Sequence, residues 1–241
     1  MPELIKPSLS RYRWRILLML FFATTINYTD RSIIGVLGPT LREHVFHWTN
    51  SQYSYIVNAF MIAYALGQLV MGGVIDRLGT RIGYAICIGI WSFFSLMHSF
   101  VTLAMGWIGF AVARFGLGFG EAGNFPSCIK TVSEWFPRKE RALATGIFNA
   151  GSNVGAILAP LIIPMIVTNQ GKHWQWAFCF TFFFSLCWLI AWLSMYHRPE
   201  RHPRVSATEL SHIQSDLEPE SQGKVSWIRL FGIRETWAVV A

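Results

Sequence analysis

The chain has 241 residues, 53% of them apolar and only 14% charged, with eleven tryptophans and a formal net charge of +7. The charged share is far below the roughly 25% of soluble domains, which excludes a water-soluble globular protein. The positive balance calls for no nucleic-acid partner, because the basic residues collect in loops on one side of a series of apolar segments.

Residues 1–15 form a basic start containing Lys6, Arg11, Arg13 and Arg15. Six mostly apolar segments follow, at 16–37, 55–75, 82–103, 107–132, 142–167 and 176–196. Each has the ~20 residues needed to cross hydrocarbon. Lipid cannot satisfy free backbone groups and no alternating barrel pattern is present, so the segments are predicted to be helices, together filling 16–196. The basic start and first apolar run imitate a signal peptide, but the run continues past residue 30 and five more follow, which predicts an uncleaved first helix. Residues 197–235 read as a polar linker. Within it Ser206-Ala-Thr-Glu209 fits a capping box, and Leu210, Ile213 and Leu217 lie on one face of a short amphipathic helix. Residues 226–232 suggest another helical turn, and 236–241 the start of a cut-off seventh span near Trp237.

With the N-terminus in the cytoplasm, that side holds the N-terminal cations, Arg77, Arg81, Arg138, Lys139, Arg141 and, after the sixth span, Arg198, Arg201, Arg204, Lys224, Arg229 and Arg234. The other side holds Arg42 and Lys172. This bias orients the chain. Trp14, Trp48, Trp107, Trp135, Trp174 and Trp176 fall at span ends, as interfacial aromatics do. Cys87, Cys128, Cys179 and Cys187 lie within spans and read as packing residues rather than a disulfide framework. Gly116-x-x-x-Gly120 and Gly151-x-x-x-Gly155-x-x-x-Ala159 are small faces that let helices approach closely.

Asp30 and Arg31 lie adjacent inside the first span, and Arg114 and Glu121 lie inside the fourth. An ionised group at membrane depth costs roughly 2.5–3.5 kcal/mol even on the mildest scale, and such groups face a bundle interior or an aqueous path. Both pairs fall on the first helix of a three-helix unit. Matched features in two such units point to a midplane binding site between inverted repeats. The chain therefore reads as a passage for charged solutes. His44-x-x-His47 is the one close histidine pair and sits in an outer loop, and no Walker-type loop is present. No enzyme, metal site or cofactor is expected.

The loop between spans two and three reads Gly72-Gly-Val-Ile-Asp76-Arg77-Leu-Gly79-Thr-Arg81. It resembles the signature loop of the major facilitator superfamily, with Ile82 where a further basic residue is common. The stretches 26–31, 52–56, 114–126, 134–141, 148–153 and His202-Pro-Arg resemble the anion:cation symporters of that superfamily, and most of all bacterial hexuronate and sugar-acid permeases. The resemblance implies an all-α membrane protein, a six-helix transmembrane bundle of 3+3 inverted repeats. Such a bundle is the N-terminal half of a twelve-helix transporter and needs a C-terminal half that this chain lacks. It further implies proton-coupled import of an organic anion, most readily a hexuronate, by alternating access across the cell membrane. H⁺ is the expected coupling ion and Na⁺ the alternative.

Carried over by position, Arg31 binds the substrate carboxylate, while Asp30 and Glu121 take the transported proton. Arg114 steadies Glu121, seven residues along the same face, or adds positive field in the cavity. Tyr28, Tyr64, Asn149, Ser152 and Asn153 bond sugar hydroxyls. Gly72, Asp76, Arg77, Gly79 and Arg81 form a charge latch on the cytoplasmic side. Burial penalises an ionised carboxylate whereas a neighbouring arginine favours it, so Asp30 and Glu121 sit under opposing pressures that cargo can tip. Two alternatives remain. Gly146, Gly155, Ala159 and Pro160 partly match the helix-five pattern of drug:proton antiporters, which would make the protein an exporter. The end at Ala241 would also suit a truncated, non-transporting membrane protein.

Overall fold

The computed structural model describes residues 11–167 and 171–216. The expected turn at 226–232, the seventh span and Leu217 lie outside them.

Helix α1 runs Tyr12–Thr40 and continues through a π-helical turn at Leu41–Val45. Helix α2 runs Asn50–His98 and contains both the second and third expected spans. It opens on a capping box not read from the sequence: Thr49 Oγ1 accepts from Gln52 N at 3.2 Å, and Gln52 Oε1 accepts from Thr49 N at 2.9 Å. Its two arms meet at Gly79, whose φ of 77° and ψ of 160° suit glycine alone. The fourth span is also divided, into α3 (Gly106–Glu121) and α4 (Asn124–Trp135), with the break directly after Glu121. Helix α5 (Arg138–Ile166) begins straight after Pro137, so the loop expected over 133–141 shrinks to two residues. Helices α6 (Gln175–Met195) and α7 (Ala207–Ile213) complete the described chain.

By length and composition, α2, α5 and α6 are long and apolar enough to cross a membrane. Helix α1 has the length, but its polar run from Thr24 to Arg31 dilutes its hydropathy. Helices α3 and α4 reach the length only in tandem.

The packing follows the two-triplet pattern. Helix α1 lies on α5, where a Cβ at Gly151 would come within 2.5 Å of the Phe21 carbonyl oxygen. Reciprocally α3, the start of the second triplet, lies on the first arm of α2, where a Cβ at Gly118 would come within 2.6 Å of the Phe60 carbonyl oxygen. The third members also pair, Trp91 donating to Ser185 Oγ at 3.2 Å between the second arm of α2 and α6. Two apolar clusters fill the bundle. One contains Ile16, Leu20, Tyr84, Trp91 and Trp135, the other Ile33, Leu37, Trp48, Phe110 and Phe178. The polar residues of α1 lie between them.

Three of the six span-end tryptophans face inward. Trp48, Trp135 and Trp174 are buried in aromatic clusters, Trp48 stacked 4.9 Å from Phe46. Only Trp176 of that set is largely exposed. All four cysteines are free; Cys87 and Cys128 are buried and Cys187 is exposed.

Candidate functional site

Asp30 and Arg31 point to different neighbours, because successive residues on a helix are about 100° apart. Asp30 is fully buried. Its Oδ1 accepts from Ser95 Oγ at 2.8 Å and from Thr181 Oγ1 at 2.9 Å, on the second arm of α2 and on α6. Its Oδ2 is buried without a partner. One turn from Ser95, His98 is buried and stacked 4.6 Å from Phe178, with Nε2 unpartnered.

Arg31 turns toward α3. Its Nε donates to Glu121 Oε2 at 2.9 Å, and the side chain is 25% exposed against 0% for Glu121. Three rings enclose its guanidinium: Tyr64 at 4.5 Å, Tyr28 at 4.8 Å and Phe60 at 5.1 Å. An arginine faced by aromatic planes and held on one edge keeps its other N–H groups for a second acceptor. Arg114 makes no hydrogen bond to Glu121; its two terminal nitrogens donate to the Arg31 carbonyl oxygen, each at 3.4 Å. Its Nε and Glu121 Oε1 are buried without partners. The four charges thus meet at one level of the bundle, although α1 and α3 are far apart in sequence.

The expected hydroxyl-binding residues divide. Tyr28 and Tyr64 stand at Arg31. Asn149 and Asn153 are exposed on α5 and form no hydrogen bond to another described side chain, while Ser152 Oγ donates to the Asn149 carbonyl oxygen at 2.6 Å. Helix α5 reaches the cluster where a Cβ at Gly155 would lie 3.0 Å from Tyr28 Cβ.

At the Gly79 turn the signature loop is less self-contained than its sequence suggests. Asp76 pairs with Lys130 of α4, Nζ to Oδ1 at 2.6 Å, and not with Arg77 or Arg81. Arg77 is exposed. Arg81 donates from Nη2 to the Leu193 carbonyl, and Trp192 Nε1 donates to the Arg81 carbonyl at 3.0 Å. Gly72 lies in open space on the first arm. Sequence reading missed Lys130, Ser95, Thr181 and Phe60. Ser95 and His98 were visible as polar residues in an otherwise apolar span. Among the described residues no group of His, Cys, Asp and Glu could hold a metal ion.

Comparisons with known proteins agree with this architecture. The profile of the Major Facilitator Superfamily matches residues 20–241. The galacturonate transporter of Dickeya chrysanthemi is 37% identical over 232 residues, covering 94% of this chain and 65% of that protein. The hexuronate transporter of Escherichia coli (strain K12) is 36% identical over 232 residues, covering 94% of this chain and 52% of that protein. The chain thus spans about half to two thirds of these relatives. Among solved structures, an inward-facing, unoccupied bacterial homologue of the human lysosomal transporter Spinster superposes with a TM-score of 0.72 at 20% identity, covering 96% of this chain and 50% of that one. The proton:xylose symporter XylE gives 0.71 at 16% identity, covering 86% and 50%. At those identities the likeness is one of fold, that of the N-terminal half of a transporter. On the match over nearly its whole length, the chain belongs to the major facilitator superfamily.

Proposed function

We propose that the full-length protein is a proton-coupled symporter that imports a hexuronate or related sugar acid by alternating access. In this reading 16–196 is the membrane-embedded half and 197–235 a cytoplasmic linker. The protein sits in the cell membrane with its N-terminus inside. The observation that carries the reading is the Arg31–Glu121 pair: a partly exposed guanidinium held at 2.9 Å by a fully buried carboxylate.

An incoming carboxylate competes with Glu121 for Arg31, and the guanidinium grips it bidentately. A proton on Glu121 removes the competitor. The charge balance favours coupling as well. Asp30, Arg31, Arg114 and Glu121 sum to zero, so an anion entering alone leaves one uncompensated charge in a low-dielectric site. Such a charge costs several kcal/mol, which a co-transported proton cancels. Asp30, with Oδ2 free, is the second proton acceptor. Tyr28, Tyr64, Asn149, Ser152 and Asn153 supply hydrogen bonds for sugar hydroxyls. The names of the two curated relatives support a galacturonate-like cargo. Of the glycines that suggested export, Gly155 is accounted for by close packing on α1, whereas a Cβ at Gly146 would meet nothing within 4 Å.

Uptake of labelled galacturonate into vesicles tests the reading. Accumulation driven by an inward pH gradient is expected for the native protein and lost in Asp30→Asn and Glu121→Gln. Gradient-driven accumulation that survives in both variants would overturn the proton role, and depletion from loaded vesicles would reverse the direction.

A further inference from the structure

Where α2 turns at Gly79, α4 stops and α6 gives way to the linker, a cavity of about 280 Å³ opens. This end of the bundle is the one that the positive-inside rule assigns to the cytoplasm. Its walls include Arg81, Arg198, Arg201 and His197, with Glu134 the one carboxylate among them. Glu134 is already engaged: Oε1 accepts from Thr80 Oγ1 at 2.6 Å, and Oε2 accepts from the Tyr196 hydroxyl. The arginines are not saturated. Arg81 Nε, which can only donate, is buried with no acceptor, and His197 Nδ1 is buried without a partner. Arg198 and Arg201 are exposed and form no ion pair among the described residues.

A buried donor left unpaired is rare, and here Arg81 Nε lies beside two uncommitted guanidinium groups. The chemistry that satisfies this set is an anion with several acceptor oxygens around one centre. We propose that this cavity is a phosphate-binding site, filled by the headgroup of an anionic phospholipid or by free phosphate. Half-exposed Leu78 lines the cavity, and exposed Ile82 and Leu193 adjoin its Arg81, one next in the chain and the other through its carbonyl, which offers apolar surface for acyl chains and favours the lipid source. A phosphate held here ties the Gly79 turn to the first residues of the linker. The site is separate from the Arg31–Glu121 cluster and needs only that the bundle be membrane-embedded.

The test is binding to the full-length protein in a zwitterionic detergent, followed by native mass spectrometry. The probes are phosphatidylglycerol, phosphatidylcholine with the same acyl chains, and inorganic phosphate. Phosphatidylglycerol is expected to bind in preference to phosphatidylcholine. The exposed pair Arg198→Gln/Arg201→Gln is expected to weaken it about 30-fold, at the strength of two basic residues near an anionic surface. Arg204→Gln, on the same linker but outside the cavity, should leave it unchanged. Inorganic phosphate binding with the same arginine dependence, without phosphatidylglycerol binding, supports the site and assigns the soluble anion. Affinities for both anions that are indifferent to Arg198→Gln/Arg201→Gln, or phosphatidylcholine bound as tightly as phosphatidylglycerol, overturn it.

Discussion

Gly146 and Gly155 belong to one helix, α5, and to one sequence pattern, yet their surroundings differ. A Cβ at Gly146 would meet nothing within 4 Å. A Cβ at Gly155 would collide with the Thr25 carbonyl oxygen of α1 and would lie 3.0 Å from both Thr29 N and Tyr28 Cβ. Gly146→Ala should therefore gain about 0.5–1 kcal/mol from helix propensity. Gly155→Ala gains the same term but pays overpacking of about 1–3 kcal/mol, because a backbone carbonyl cannot swing aside as a side chain can. The expected net result is a loss of about 1–2 kcal/mol. Since α1 must shift to relieve the contact, Tyr28 and Arg31 shift with it, and uptake should fall as well. Unfolding in detergent and labelled-galacturonate uptake in vesicles, run on both variants of the full-length protein, measure the two effects. Equal stability of Gly155→Ala and the native protein, or equal damage from Gly146→Ala, would refute the close-packing argument.

Two further predictions concern the linker. The buried carboxylate of Glu209 accepts from Tyr12 N and Arg13 N, each at 3.1 Å, and from Arg13 Nη1 at 3.4 Å, so it caps the first turn of α1. Glu209→Ala should cost about 2 kcal/mol of local stability, read as roughly 30-fold faster amide exchange at Tyr12 and Arg13; unchanged exchange would rule the cap out. His202 gives a pH dependence. Burial holds its imidazole below the usual histidine range, with His197 and Arg204 adding to the effect, while the bond to the Met195 carbonyl and the charge of Glu209 oppose it. Its Nδ1 accepts from Arg204 N at 3.1 Å, and Nε2 lies 3.1 Å from the Met195 carbonyl oxygen, an arrangement met by the neutral ring. A depressed histidine stabilises the docked linker fully above about pH 6.5, and that contribution fades as pH falls below it. Amide exchange over residues 204–213, corrected for intrinsic rates, should rise between about pH 7.5 and pH 5.5 in the native protein and stay flat in His202→Gln. A flat native profile would contradict it.

The sequence alone determined which residues are exceptional. Charges inside apolar spans, a glycine in a basic loop and small residues at helical spacing are local facts, and hydrocarbon makes each expensive enough to read without a fold. The turn at Gly79 and the two-triplet layout were legible for that reason. What only the tertiary structure decided is the choice of partner. Glu121 is bound by Arg31, 90 residues away, and not by Arg114 on its own helix. Asp76 is bound by Lys130 and not by the arginines of its own loop. The Glu209 carboxylate, read as bonding back within its own capping box, also reaches α1 across 197 residues. Three of the six span-end tryptophans turned inward for the same reason. Spacing along a helix fixes which face a side chain occupies, but the neighbour on that face is set by how the helices lean together. At Gly151 and Gly155 that lean is governed by contacts of a few ångströms between backbones with no sequence relation to each other.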